Sequence, residues 1–319
     1  MINDVHSDLT IFDFDKFQPL SFQDSLVTLG NFDGVHLGHQ AIISRLVEKA
    51  QSTQQPVIVV TFFPNPSVYF KRRETPYYLL SPGRKETHLL DLGVDDVITF
   101  RFDGNFASLT ADEFLSGLRE NLGMSLLVVG HDFALGKNRQ GTIPVIREIG
   151  KKLSFDLEII EPVIINEHEV SSTLIRKSLE NGDARKAAAM LGRPYSISGE
   201  VSHGSDRGSR IGLPTANLSH WEGKKLPAVG VYATHIELKG QRYYGITNVG
   251  YRPTFESQSD VNIETYILDF DGNIYGEKFS VAFIQKIRDE KKFSDVDALL
   301  QQIELDKISA HEIFQHDKI

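Results

Sequence analysis

The chain has 319 residues, a formal net charge of −9, 40% hydrophobic residues and no cysteine. That length accommodates two ordinary domains, and the composition is typical of a folded globular protein. The acidic balance disfavours nucleic acid as a partner, and the lack of cysteine excludes disulfides, thiolate catalysis and cysteine metal sites. Neither a signal peptide in residues 1–20 nor a bilayer-spanning apolar segment is visible, so we expect a cytoplasmic protein without a membrane partner.

The first half alternates apolar strands with helical patterns. Apolar runs at residues 26–29, 56–63, 96–102, 125–130 and 157–160 predict five buried strands. Between them, residues 41–47 show helical spacing, and Thr110 with Glu113 predicts a capping box at the start of another helix. Continuous apolar strands separated by helices predict a Rossmann-like parallel sheet covered on both faces. Ligands of such sheets bind beyond the carboxyl ends of the strands.

The most informative segment is GNFDGVHLGH, residues 30–39, where the first of these strands gives way to a helix. A helix N-terminus offers unpaired N–H groups and partial positive charge, both suited to phosphate. His36 and His39 can donate there to a phosphoryl oxygen as charge builds in a transition state. The segment therefore predicts chemistry on a nucleotide. A metal site lacks a third ligand at suitable spacing, and a histidine that merely caps the helix is the structural alternative.

Two familiar nucleotide motifs are excluded. No two glycines lie two positions apart, so the chain has no G-x-G-x-x-G fingerprint. Residues 130–137 resemble a Walker A loop, but five residues separate its glycines and Asn138 stands where Ser or Thr is required. The first half is therefore not a standard dinucleotide-binding domain.

The sheet half closes with SSTLIR at residues 171–176, followed by an alanine-rich helical pattern at 184–191. Ser172 or Thr173 can cap a helix, with Arg176 in its first turn, and capping is the commoner role of such residues. Phosphate binding is the other interpretation. We place the domain boundary within residues 182–193, which gives domains 1–184 and 185–319.

From Arg193 onward the pattern changes to short runs rich in Tyr, Val, Ile and Thr. These runs, at 195–201, 230–236, 242–248, 262–268 and 275–284, are separated by turn residues and predict an antiparallel barrel or sandwich. A final helix is predicted from residue 295 to 308.

A glycine-spaced loop, HGSDRGSRIG at residues 203–212, is the candidate ligand site of the second half. Such loops can wrap a phosphate chain with backbone N–H groups, although a flexible hairpin turn has the same composition. Thr215 and Asn217 share a face if extended, and their oxygens suit Mg²⁺. Glu264 lies in the middle of a predicted strand. Such a residue is usually a solvated outward group, and it becomes a candidate general base if it points into the barrel.

Taken together, these motifs resemble the bacterial bifunctional riboflavin kinase/FAD synthetase family. The matching segments are residues 30–39, 172–176, 193–195, 204–212, 214–217 (PTAN), 248–255 (NVGYRPTF) and 269–276. The resemblance covers about residues 20–310. It implies an N-terminal nucleotidyltransferase domain followed by a six-stranded flavokinase barrel with a terminal helix. The implied reactions convert riboflavin and ATP to FMN, then FMN and ATP to FAD and pyrophosphate, with Mg²⁺ as cofactor. Oligomeric state stays open.

The resemblance also implies roles for individual residues. His36 and His39 would stabilise the α-phosphate of ATP, and Glu264 would accept the proton of the ribityl 5′-hydroxyl beside the flavin. The remaining ATP-binding positions of the first domain are Gly30, Asn31, Phe32, Asp33, Asp132, Ser172, Thr173 and Arg176. Those of the kinase are Gly204, Ser205, Arg207, Gly208, Gly212, Pro214, Thr215 and Asn217, of which Thr215 and Asn217 also bind Mg²⁺. The flavin positions are Phe62, Pro64, Asn65 and Arg288.

The sequence departs from the family pattern at Asn65, where histidine is frequent, at His131 and at Tyr251. Two alternatives to a two-step enzyme remain from the sequence. One is a chain in which a single half is active and the other is scaffold. The other is a flavin or nucleotide sensor without turnover.

Overall fold

A computed structural model describes residues 9–20, 22–202, 213–251 and 261–316. Its contacts divide the chain into two compact units that meet at the Ser172–Thr173 bond. The functional domain limits expected from the sequence, 1–184 and 185–319, stay a prediction. None of the helices in the described ranges is both long and apolar enough to cross a membrane.

The first unit is built on a parallel sheet, as the sequence predicts. Six of the described strands form it in the order β1-β4-β3-β2-β5-β8, and every neighbouring pair is parallel. The strands are β1 (Ile11–Phe12), β2 (Ser25–Leu29), β3 (Val57–Phe63), β4 (Asp96–Arg101), β5 (Met124–Gly130) and β8 (Asp156–Ile160). Two small hairpins lie outside this sheet: β6 (Ala134–Leu135) with β7 (Gly141–Thr142), and β9 (Ile164–Ile165) with β10 (His168–Glu169).

Both faces of the sheet carry hydrophobic clusters, which explains why its central strands contain continuous apolar runs. Val27 and Leu29 of β2 belong to one hydrophobic cluster, whereas Leu26 belongs to the other. Neighbouring positions of a strand point to opposite faces, so each strand contributes to two cores. The helices that cover them are α1 (Leu37–Thr53), α2 (Pro66–Tyr69), α3 (Pro82–Leu90), α4 (Gly104–Ser108), α5 (Ala111–Leu122) and α6 (Ile143–Leu153).

The capping box predicted at the start of α5 is confirmed. Thr110 Oγ1 accepts a hydrogen bond from the Glu113 N–H at 3.2 Å, and Glu113 Oε2 accepts from the Thr110 N–H at 2.8 Å. Phe114, Leu118 and Leu122 then recur on the buried face of the helix. Local capping chemistry and helical spacing were therefore sufficient to place this element.

The second unit contains the predicted barrel and its helices. Helices α7 (Ser172–Glu180) and α8 (Ala184–Leu191) precede it, and α9 (Val296–His316) follows it. The strands form a closed antiparallel barrel in the order β11-β12-β15-β14-β13-β16. They are β11 (Tyr195–Ser202), β12 (Ala216–His220), β13 (Gly230–Leu238), β14 (Gln241–Tyr251), β15 (Val261–Ile267) and β16 (Lys278–Arg288).

A ladder of three threonine hydroxyls crosses the barrel interior. Thr247 Oγ1 lies 2.8 Å from Thr234 Oγ1 and 2.9 Å from Thr265 Oγ1, and all three residues are fully buried. They belong to the neighbouring strands β13, β14 and β15. Outside the barrel, Ala233 and Ile246 pack in one cluster with Ala310 and Phe314 of α9. The wall of the barrel thus has a hydroxyl-bearing interior here and an outer face covered by a helix.

Candidate active sites in the two units

The loop between β2 and α1 has an unusual backbone. Phe32 and Val35 have φ angles of 46° and 41°, and Gly34 between them has φ 89°. Non-glycine residues in this left-handed region cost about 1–3 kcal/mol each, so the surrounding structure must hold them. The loop that the sequence singled out is therefore a rigidly specified turn at the carboxyl end of β2.

Asp33 is one of the groups that hold this loop. Its carboxylate accepts hydrogen bonds from the backbone N–H of Leu79 at 2.9 Å and of Leu80 at 3.2 Å, and the residue is only 4% exposed. Its carbonyl oxygen accepts from Ser172 Oγ at 2.7 Å. The side chain is committed to the protein backbone, where it holds the shape of the loop.

Two histidines meet at the N-terminus of α1. His36 is the N-cap residue, and its Nδ1 accepts from the His39 N–H at 3.4 Å. The two rings stack with centroids 3.6 Å apart and planes 18° apart. Gly38 permits this arrangement, because a Cβ on it would lie 3.2 Å from the His36 ring. The capping alternative is thus true of His36, and it coexists with a pair of imidazoles at a helix N-terminus.

His39 is held in its neutral form. Burial, followed by the nearby charges of His36 and Lys85, keeps the pKa of His39 well below its usual value. Its Nδ1 atom is buried without a hydrogen-bond partner among the described residues. A neutral imidazole donates from one nitrogen only. With its charged form suppressed, His39 can act as a hydrogen-bond donor to phosphate across the physiological pH range.

Lys85 of α3 is a further polar group at this site, and the sequence analysis missed it. The residue is 7% exposed, and its Nζ donates to Thr61 Oγ1 at 2.7 Å and to the Asn31 carbonyl at 3.2 Å. Burial lowers the pKa of the Lys85 ammonium to about 8. Because lysine is rarely buried, nothing in the helical pattern of residues 82–90 distinguishes it from a solvated lysine.

The predicted flavin positions of the first unit lie at the end of β3 and the start of α2. Phe62 packs on Phe106 with ring centroids 5.3 Å apart, and Pro64 follows at the end of β3. Asn65 is 6% exposed and caps α2, with its Oδ1 accepting from Ser67 N–H at 2.9 Å. Asn65 therefore has a structural function as a helix cap, and any contact of Asn65 with flavin would have to be compatible with that hydrogen bond.

The six other predicted ATP positions are Gly30, Asn31, Asp132, Ser172, Thr173 and Arg176, of which the last two belong to the second unit. Gly30 directly follows β2 and precedes the exposed Asn31, and Asp132 is exposed after β5. Ser172 is the first residue of α7, and its hydroxyl donates to the Asp33 carbonyl oxygen at 2.7 Å. Thr173 is exposed and Arg176 is buried on α7.

In the second unit, a polar cluster joins β12 and β15. Asn217 lies directly opposite Glu264 in the antiparallel register. Asn262 Nδ2 donates both to Asn217 Oδ1 and to Glu264 Oε1, each at 2.8 Å. The sequence analysis placed Asn217 and Glu264 but missed Asn262. The alternation of a strand would have suggested it, since residues two apart share a face.

Glu264 lies on the outer face of the barrel. In the register, Ile246 faces Tyr266, whereas Thr247 faces Thr265 of the interior ladder. Ile246 packs against α9, so Glu264, which alternates with Thr265, is on the helix-bearing side. The condition set from the sequence, that this carboxylate point into the barrel, is not met. It still does not resemble a solvated surface group, since its neighbour Asn217 is only 4% exposed.

The rest of the predicted kinase site is only partly described. Gly204, Ser205, Arg207, Gly208 and Gly212 lie outside the described residues. Pro214 is exposed and Thr215 is partly buried immediately before β12. Within the described ranges, no group of three or more His, Asp or Glu side chains is arranged to hold a metal.

The donor set nevertheless fits Mg²⁺. Thr215 offers a hydroxyl, Asn217 an amide oxygen and Glu264 a carboxylate beside it. Mg²⁺ takes hard oxygen ligands, and protein sites usually supply one or two while water and substrate phosphates supply the rest. The hydrogen bond from Asn262 leaves the second lone pair of Asn217 Oδ1 available. Such a site needs the phosphate oxygens of a bound nucleotide to complete the coordination of the metal ion.

Arg288, predicted at the mouth of the flavin site, forms an ion pair with Asp306 of α9. Its Nε and one terminal nitrogen donate to the two carboxylate oxygens at 2.9 and 2.8 Å. Asp306 is 2% exposed, and Gln302 Nε2 also donates to it at 2.9 Å. The guanidinium therefore joins the last strand of the barrel to the closing helix, which sequence spacing alone does not reveal.

Asp306→Asn should destabilise the second unit by about 2 kcal/mol, the usual scale for losing a hydrogen bond to a charged group. The reason is that the partly buried Arg288 guanidinium loses its counter-charge at the buried Asp306. Urea denaturation, followed by far-ultraviolet circular dichroism, measures the change. Glu312→Gln is the matched control, since Glu312 is exposed on the same helix. Equal stabilities of the two variants would contradict a stabilising role for the ion pair.

Comparison with known proteins assigns both units to families. A family model described as FAD synthetase matches residues 18–174, and one described as riboflavin kinase matches residues 191–314. A bifunctional riboflavin kinase/FMN adenylyltransferase of Haemophilus influenzae is 38% identical over 92% of this chain and 95% of its own. The protein of the same description from Escherichia coli K12 is 36% identical over 91% and 92%.

A solved structure agrees with the fold over the whole chain. A crystal structure described as a macrolide-efflux protein from Streptococcus pneumoniae is 32% identical and superposes with a TM-score of 0.87. The match covers 95% of this chain and 98% of that one. With both family models matched in order and curated relatives aligned along nearly their full length, the chain belongs to the bifunctional riboflavin kinase/FMN adenylyltransferase family.

Proposed function

We propose that the two activities of this enzyme reside at the two sites described above. The chain phosphorylates riboflavin to FMN with ATP and then adenylylates FMN to FAD with release of pyrophosphate. We assign the phosphorylation to the cluster of Asn217, Asn262 and Glu264, and the adenylylation to the stacked His36 and His39. The observation that carries the assignment is that each unit holds one group of polar side chains suited to its reaction.

In the phosphorylation, Glu264 is the general base. It accepts the proton of the ribityl 5′-hydroxyl as that oxygen bonds to the γ-phosphorus of ATP, and the bond to the ADP oxygen breaks. Asn262 donates to Glu264 Oε1, which orients the carboxylate. Proton transfer by a positioned carboxylate contributes to such a step because phosphoryl transfer otherwise depends on positioning and charge stabilisation.

Mg²⁺ belongs to this proposal at Thr215 and Asn217, where it would bridge and neutralise the phosphates of ATP when bound. Asn217 is nearly fully buried and is fixed by Asn262, so its oxygen is preorganised. A cytoplasmic location is also part of the proposal. Its support is the absence of cysteine from the whole sequence, which fits a reducing compartment.

In the adenylylation, an FMN phosphate oxygen attacks the α-phosphorus of ATP, and the bond to the bridging oxygen of the leaving pyrophosphate breaks. The N-terminus of α1 and the two imidazoles supply donors where negative charge accumulates. No nucleophilic side chain is needed, because FMN supplies the attacking oxygen. Ser172, Thr173 and Arg176 are assigned to the β- and γ-phosphates on the resemblance stated above.

Incubation with riboflavin, ATP and Mg²⁺, followed by chromatography of the flavins, tests the proposal. FMN should rise first and then decline as FAD accumulates. A chelator should suppress FMN formation when riboflavin is the substrate. Accumulation of FMN without FAD would show that only the kinase half is active. Tight binding of flavin without any product would support a sensor and would contradict the proposal.

A further inference from the structure

Lys85 is a buried cation without a counter-ion in the described part of the chain. Its side chain is 7% exposed, and no described carboxylate lies within ion-pair distance of its Nζ. An ammonium removed from water is costly unless it is paired. Two neutral oxygens, Thr61 Oγ1 and the Asn31 carbonyl, compensate only part of that cost. The charges of Asp33 and Glu86 act on Lys85 more weakly than burial does, so its positive charge is only partly offset.

The charge lies at the edge of the sheet where the loop begins. Thr61 is near the carboxyl end of β3, and Asn31 lies two residues beyond the end of β2, the adjacent strand. Thr61 Oγ1 also donates to the Asn31 carbonyl, at 3.3 Å. Lys85 thus helps to fix Asn31 near the start of the loop that leads to His36. Asp33 holds the middle of the same loop through Leu79 and Leu80.

We propose that Lys85 is a positioning residue for adenylyl transfer, which holds Asn31 in place and uses the phosphate chain of the nucleotide as its missing counter-ion. This inference rests on the proposed reaction at His36 and His39. Burial of Lys85 then lowers the stability of the nucleotide-free protein, and bound nucleotide offsets that loss. A lysine of purely structural value would instead be expected to stabilise the protein without ligand.

The pH dependence follows from the groups that face Lys85. Burial lowers its pKa to about 8, and Asp33 on the loop and Glu86 on its own helix raise it by lesser amounts. His39 on α1 faces it as a group whose own pKa Lys85 lowers, and β3 contributes only the neutral Thr61. The charged form exists below about pH 8 in the free enzyme. Since kcat/KM reports free-enzyme groups, it should decline above that pH.

Nucleotide binding should shift this alkaline decline in activity to higher pH. An anion close to the ammonium favours its charged form and raises its pKa. The alkaline limb of kcat, which reports the bound enzyme, should therefore lie at higher pH than the limb of kcat/KM for ATP. A structural lysine would not produce this separation.

Lys85→Met and Lys85→Gln test the inference, with FAD formation from supplied FMN and riboflavin phosphorylation measured in the same preparations. Both variants should lose about 10²-fold in kcat/KM for FAD formation, the scale for one preorganised donor. Riboflavin phosphorylation should be unchanged, and the limb near pH 8 should disappear. Without nucleotide, Lys85→Met should melt at the same or a higher temperature than the wild type, and ATP should stabilise it less. Arg84→Met is the control, since Arg84 is exposed on the same helix.

Several outcomes would overturn the inference. One is Lys85→Met forming FAD at near the wild-type rate, and another is a lower melting temperature with equal loss of both activities. Coincident alkaline limbs for kcat and kcat/KM in the wild type would also refute it, and that measurement needs no variant. A wild-type enzyme that makes no FAD would instead overturn the proposed function itself.

Discussion

Glu264→Gln should reduce FMN formation by about 10³-fold, within the range for loss of a general base. Glutamine keeps the size of the side chain and an oxygen that can accept from Asn262, so the cluster with Asn217 should stay in place. What it loses is the ability to take the proton of the 5′-hydroxyl. The rate of FMN formation with saturating riboflavin and ATP measures the effect.

Conversion of supplied FMN to FAD should be unaffected in Glu264→Gln, which provides an internal control for folding. Glu237→Gln is the matched external control, because Glu237 is also a strand glutamate of the barrel and is exposed near the end of β13. Kinase activity of Glu264→Gln within about threefold of wild type would remove Glu264 as the base.

His36→Asn should lower FAD formation by about 10²-fold while leaving riboflavin phosphorylation near normal. Asparagine is a strong N-cap residue, so this variant retains an acceptor for the first turn of α1 and removes only the imidazole. The comparison with His36→Ala separates the two functions of the residue. Alanine should additionally destabilise the first unit by about 1 kcal/mol through loss of the cap.

Steady-state assays with FMN and ATP, combined with thermal melts, measure both effects. His168→Asn is a suitable control, since His168 is an exposed histidine of the same unit. A His36→Asn enzyme that retains full FAD formation would show that the cap is the only role of His36. Equal loss of both activities would argue against separate sites.

Local patterns predicted much of the fold. The parallel sheet followed from apolar runs in which neighbouring residues, such as Leu26 and Val27, belong to opposite cores, and the α5 cap followed from Thr110 and Glu113. The two-residue strand β1 could not be predicted, because so short an element has no periodicity and is held by pairing with β4. Elements with a local pattern were therefore predictable, whereas long-range strand pairing was not.

The site was less predictable than the fold because its supporting residues come from distant segments. Asn262 and Lys85 carry no motif, and their importance depends on what they face across strands or helices. The partner of Arg288 is Asp306, which lies on another element and has no distinctive local pattern. For Glu264, alternation defines two faces but does not say which one is inside until α9 is placed.

The threonine ladder has a consequence for the outer surface of the barrel. A strand that slipped by one residue would turn its hydroxyl away from the interior and leave the other two exposed to an apolar lining, so the alignment of β13, β14 and β15 has one favourable solution. Thr265 adjoins Glu264, and β15 pairs with β12 in the same alignment. Three fully buried hydroxyls thereby help to determine where the Glu264 carboxylate stands relative to Asn217.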